Sequence, residues 1–109
     1  MDRSEIKKGC YAVIFSSQKS ENLEGYLQME EETMRLAAET KGFIGYENAG
    51  NGKEHSIFIS YWESEESINT WRKNATHLVA KQMGKEVWYN WFHSMICKVE
   101  ASNFKASHG

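Results

Sequence analysis

The sequence predicts an α+β domain of the ferredoxin-like kind, β-α-β-β-α-β, with one four-stranded antiparallel sheet and both helices on one face. Three observations lead there. Runs rich in aromatic and β-branched residues at 9–17, 43–49, 55–62 and about 93–101 read as strands. Two stretches with apolar residues at helical spacing separate the first run from the second and the third from the fourth. The strands are also apolar on both faces, as in Tyr11-Ala12-Val13-Ile14-Phe15 and Ile57-Phe58-Ile59-Ser60-Tyr61-Trp62. Helices on one side cover only one of those faces, and each large apolar side chain left in water would cost about 1.5–3 kcal/mol. A second copy of the chain, packed sheet to sheet, is the expected cover.

The first strand puts Cys10, Ala12 and Ile14 on one face and Tyr11, Val13 and Phe15 on the other. A polar loop at 16–22 precedes the first helix. That helix carries Leu23, Tyr26, Met29, Thr33, Leu36, Ala37 and Thr40 in one stripe, and Glu24, Glu31, Arg35 and Glu39 on its wet side. Gly42 is the stop signal. The turn at 50–53, Gly-Asn-Gly-Lys, joins the second and third strands into a hairpin. Ser64 then offers an N-cap, with Glu65 and Glu66 at the positive end of the second helix. This helix places Ile68, Trp71, Ala75, Leu78, Val79 and Gln82 on one face; the segment 74–77 admits a break, with resumption toward Gly84. A short helical turn bearing Val87, Trp88 and Trp91 leads into the last strand. The domain is expected over 9–101, with flexible termini at 1–8 and 102–109.

The totals bound the function. The 109 residues hold one core, and an aromatic share of 13% favours a packed domain. Thirteen basic and 15 acidic residues give a net charge near −2, and the basic ones are scattered, which argues against nucleic acid. No apolar run is long enough for a membrane span and no signal-peptide pattern opens the chain, so a cytoplasmic protein is expected. Cys10 and Cys97 read as small reduced hydrophobes. No phosphate loop, nucleophile elbow or Cys/His metal spacing is present, and no cofactor is expected.

The opening strand 11–15, the Lys41-Gly42-Phe43-Ile44-Gly45 stop, and Ser60-Tyr61-Trp62-Glu63-Ser64 flowing into a helix with Trp71 and His77 resemble the antibiotic biosynthesis monooxygenase family. Gly84 and Trp88-Tyr89 extend the likeness to about residue 100, close to that of small bacterial stand-alone members. The resemblance implies a dimeric α/β barrel with a ligand cleft between sheet and helices. Characterised relatives include enzymes that oxidise polycyclic phenols to quinones with O₂ and no cofactor, haem degraders, and proteins acting on small signalling metabolites. Family alone therefore fixes fold better than reaction.

The haem-degrading pattern needs a strand-one Asn, a helix-two Trp and a His ten residues beyond it. Trp71 fits, but Lys81 stands at the His position and no Asn precedes Asn22. The quinone-forming pattern pairs the Trp with an Asn one turn earlier and a Tyr six residues later; Ser67 and His77 hold those places. The site implied has His77 as the base that ionises a phenol, Ser67 as a hydrogen-bond donor and Trp71 as a flat wall. Trp62, Trp88 and His93 are expected to contact the substrate. A homodimeric oxygenase acting on an electron-rich aromatic or polyketide-like compound is the leading expectation. A non-catalytic small-molecule-binding or stress-response dimer, and a haem binder without the degradation triad, are the alternatives.

Overall fold

The computed structural model describes residues 1–50, 54–81 and 85–107, apart from the side chains of 77–81 and 85–86. The expected order is present: β1 (Tyr11–Lys19), α1 (Tyr26–Glu39), β2 (Phe43–Gly50), β3 (Ser56–Trp62), α2 (Glu65–Lys81), a four-residue helix α3 (Lys85–Trp88) and β4 (Tyr89–Lys98). The strands form one sheet in the order β2-β3-β1-β4 with antiparallel pairing throughout. Both central strands, β1 and β3, are the ones the sequence shows as apolar on both faces. The 50–53 turn lies mostly outside the described residues, but the pairing of Gly50 with Ser56 closes the hairpin.

Each helix follows from its residues. In α1 the buried positions Tyr26, Met29, Thr33 and Ala37 recur at three- and four-residue spacing, one stripe facing the sheet. Leu23 lies before the helix and stays exposed. In α2, Ser64 is the N-cap: its hydroxyl accepts the Ser67 amide hydrogen at 3.1 Å. The expected break at 74–77 is absent, and α2 runs unbroken to Lys81. Ala is the best helix former, and Asn, Thr and His each cost only about tenths of a kcal/mol, far less than a Pro would.

The last strand begins at Tyr89 instead of near His93, and β1 reaches Lys19 instead of ending at Ser17. The two shifts are one event, since the added residues pair with each other: Lys19 with Tyr89, Gln18 with Trp91. The register slips between these pairs and leaves Asn90 as the extra residue of a bulge. Asn90 donates its amide hydrogen to the Gln18 side-chain oxygen at 3.0 Å. Because of the bulge, Tyr89 and Phe92 face the same way, and both rings meet Phe15, at 5.2 and 5.6 Å between centroids.

The core between helices and sheet is in two pieces. Val13, Ala37, Trp62 and Ile68 pack at the α1 C-terminal end, joined by Tyr11, Met34, Phe43 and Trp71. Tyr26, Met29 and Trp88 pack at the other end, with Val87 and Tyr89. In the N-terminal segment Arg3 pairs with Glu47 of β2 at 2.9 Å, and the Ser102 hydroxyl donates to the Ile6 carbonyl at 2.6 Å, joining the two terminal segments to each other.

Candidate functional site

A cavity of about 600 Å³ lies between the two core clusters. That is large enough for a drug-sized ligand. Its floor is the helix-facing side of β1 and β3, with Val13, Phe15, Ser17, Lys19, Phe58 and Ser60; β4 adds Tyr89, Phe92 and Ser94. The roof is Tyr26, Met29, Glu30, Thr33 and Met34 from α1, and Trp71, Arg72, Ala75 and Thr76 from α2. Alternation along β1 decides which residues reach it: Val13, Phe15 and Ser17 point in, whereas Ala12, Ile14 and Ser16 point to the opposite face. The walls are therefore aromatic and thioether surfaces with a few hydroxyls. Ser17 and Ser56 share a hydroxyl contact at 3.4 Å, and the Ser60 hydroxyl accepts the Trp62 indole hydrogen at 2.9 Å.

One end of the cavity is polar. Tyr26, Tyr89 and Glu30 meet there, with the Lys19 ammonium 5.2 Å from the centre of the Tyr26 ring. Burial drives the Tyr26 phenol far above the ordinary tyrosine range, and neighbouring Tyr89 and Glu30 push it further. Burial also raises Tyr89, with Glu30 adding to the effect and a hydrogen bond from Tyr26 opposing it. Both phenols thus remain protonated donors at neutral pH. Glu30 is the one carboxylate among the described residues that line the cavity.

The residues singled out from sequence are dispersed. Trp71 lines the cavity; its indole hydrogen goes to the Thr33 carbonyl at 2.9 Å, so it offers a ring face and no donor. Ser67 lies a turn earlier, its hydroxyl 2.9 Å from that of Ser64 and packed against Gly42, away from the cavity. Trp62 and Trp88 are 0% and 1% exposed, and neither lines the cavity. Trp62 instead backs Trp71, the two rings 5.2 Å apart, while Trp88 donates to the Glu24 carbonyl at 2.8 Å. His93 pairs with Ser16 and so sits on the opposite face of the sheet. The His77 side chain lies outside the described residues. No group of three or more potential metal ligands occurs among the described residues, and none of their helices is long and apolar enough to cross a membrane.

The model of one protein family, described as antibiotic biosynthesis monooxygenase, matches residues 10–83. The chain belongs to the antibiotic biosynthesis monooxygenase family. A relative within reach of this assignment is the uncharacterized protein YqjZ of Bacillus subtilis, 43% identical over 90 residues, which cover 83% of this chain and 79% of YqjZ. Among solved structures, a point mutant of SnoaB from Streptomyces nogalater, a cofactor-independent oxygenase, superposes with a TM-score of 0.67 at 8% identity, covering 86% of this chain and 96% of that one. Protein SO0527 from Shewanella oneidensis gives 0.65 at 16% identity, covering 84% and 92%. At these identities the likeness is one of fold.

Within this member of the family, Tyr26, Glu30, Tyr89, Phe92 and Lys19 are cavity residues that sequence reasoning passed over. Glu30 sits in an acidic run that reads as solvated surface, yet it follows Tyr26 by four residues and shares its helix face. Tyr89 and Phe92, three apart, appear to face opposite ways until the bulge is known.

Proposed function

We propose that the chain is a cofactor-independent monooxygenase, acting in the cytoplasm as a homodimer, that oxidises a flat, electron-rich aromatic or polyketide-like compound with O₂ in the cavity under Trp71. The observation that carries this reading is the composition of that cavity: aromatic walls on three sides and, among the described residues, a single carboxylate, Glu30, beside two protonated phenols. In the reaction, an activated ring CH₂ or phenol first loses a proton to a base. The anion passes one electron to O₂, and the radical pair collapses to a C–O bond, forming a hydroperoxide. Loss of water leaves a carbonyl. For a ring CH₂ the balance is R₂CH₂ + O₂ → R₂C=O + H₂O: carbon gives four electrons, and one oxygen atom leaves as water. The substrate supplies all the electrons.

Each protein group has a limited task. Glu30 takes the proton, Tyr89, which itself accepts from Tyr26, donates a hydrogen bond to the anion that forms, and Trp71, braced by Trp62, holds the ring plane. His77 on α2 is the second base to test, with Ser67 in support of the helix. The experiment is oxygen uptake with anthrone. Glu30→Gln should lower kcat/KM by about 10²–10⁴-fold with an unchanged melting temperature. If His77→Asn has that effect and Glu30→Gln does not, the base is His77. If the wild-type protein consumes no oxygen with anthrone or with a panel of polycyclic phenols, the oxygenase reading is wrong.

A further inference from the structure

The cavity carries a charge balance opposite to that of the chain. The protein as a whole is near −2, yet among the described residues Lys19 and Arg72 line the cavity against one carboxylate, Glu30. The described ion pairs are Arg3–Glu47 and Arg35–Glu39, so neither cavity cation is spent on a carboxylate among the described residues. Lys19 is half-buried and its ammonium lies against the Tyr26 ring, a contact that directs the charge toward the cavity but does not neutralise it. A partly desolvated ammonium beside apolar walls favours an anion. Arg72 is exposed, so its contribution is the smaller one.

From this we infer that the ligand is an aromatic acid: a planar ring system with a carboxylate, or an equivalent anionic group, held by Lys19. The inference deepens the function proposed above and rests on its placing the ligand in this cavity. The strand sets the scale. Phe15, whose ring stacks on Phe92, lies four residues from Lys19, roughly 13 Å along β1. That length takes in two or three fused rings with the acid at one end. The bulge matters here, because it sets Lys19 opposite Tyr89 at the polar end of the cavity.

The test compares two probes that differ only in the acid, 1-hydroxy-2-naphthoic acid and 1-naphthol, by isothermal titration calorimetry at neutral pH. The acid should bind about tenfold tighter than the naphthol, as a charge-assisted hydrogen bond warrants. Lys19→Met, which keeps the stem, should remove that advantage and leave naphthol binding in place. Lys41→Gln, a charge change at an exposed residue away from the cavity, should not. High salt should weaken the acid selectively in the wild-type protein, a result that does not depend on any variant folding. Equal binding of the two probes, an unaltered preference in Lys19→Met, or binding of neither probe would overturn the inference. Oxygen uptake followed on the same samples separates the two readings. Tight acid binding with no uptake on these probes, on anthrone or on the phenol panel removes the oxygenase and keeps the acid site, whereas uptake with 1-naphthol alone does the reverse.

Discussion

Two residues remote from the cavity show how single side chains set stability. Gly42 has φ of 98°, and a β-carbon there would run into the Ser67 side chain. Its carbonyl also accepts the Glu63 amide hydrogen at 2.7 Å, fixing the start of β2 beside the end of β3. Gly42→Ala combines a left-handed backbone with a clash, so a loss of about 2–3 kcal/mol is expected in urea denaturation. Tyr61 donates to Glu47, which also receives Arg3. Arg3 first, then Tyr61, hold Glu47 below the usual carboxylate range, so this contribution is present above about pH 4.5 and fades as pH falls through the lowered value. Burial, then Glu47, pushes the Tyr61 phenol up to about 12. A raised phenol stabilises the fold fully below its unfolded value near 10, and that stability declines as pH rises from 10 toward 12. The urea midpoint of Tyr61→Phe should therefore fall less than that of the wild type across this window. Tyr26 and Tyr89, also raised, keep some alkaline loss in both proteins.

Among the elements, the helix faces and the hairpin were legible because apolar periodicity and turn chemistry state them directly. Ser64 could be read as the cap of α2 from Ser-Glu-Glu alone, and the Ser67 amide is where the cap bond ends. Ser64→Ala should cost about 1 kcal/mol, visible as a lower melting temperature by circular dichroism. Strand ends were less legible. The Asn90 bulge depends on pairing with Gln18, a residue 72 positions away, and no local pattern announces it. Its consequence reaches the site, since it turns Tyr89 and Phe92 together into the cavity. Trp62 and Trp88 show the same limit from the other direction. A tryptophan at an element end looks available for ligand, but Ser60 and the Glu24 carbonyl already satisfy both indoles inside the core. Trp71 was readable as a wall because it falls on the inner stripe of α2, one turn after Ile68.

For the molecule as a whole, the face away from the helices presents Ile14, Ile59, Met95 and Trp91, the last two 38% and 43% exposed in the single chain. Such an apolar sheet surface calls for a partner, and the proposed homodimer supplies it. Sedimentation should find a dimer, and Ile59→Lys, which charges the middle of that face, should shift it to monomer with unchanged far-ultraviolet circular dichroism. A monomeric wild type would remove this proposal while leaving the cavity, which a single chain builds, untouched.

The Trp62–Trp71 pair also has an optical consequence. Its indoles lie 5.2 Å apart with planes tilted by 32°, one sealed in the core and the other exposed to the cavity. Transitions on two close, non-parallel chromophores mix and give a signed couplet in circular dichroism. An aromatic guest lying against Trp71 adds a third transition and distorts that couplet. The native tryptophans thus serve as a label-free gauge of cavity occupancy, and Trp62→Phe is the variant that removes the native couplet and leaves only the one between Trp71 and the guest.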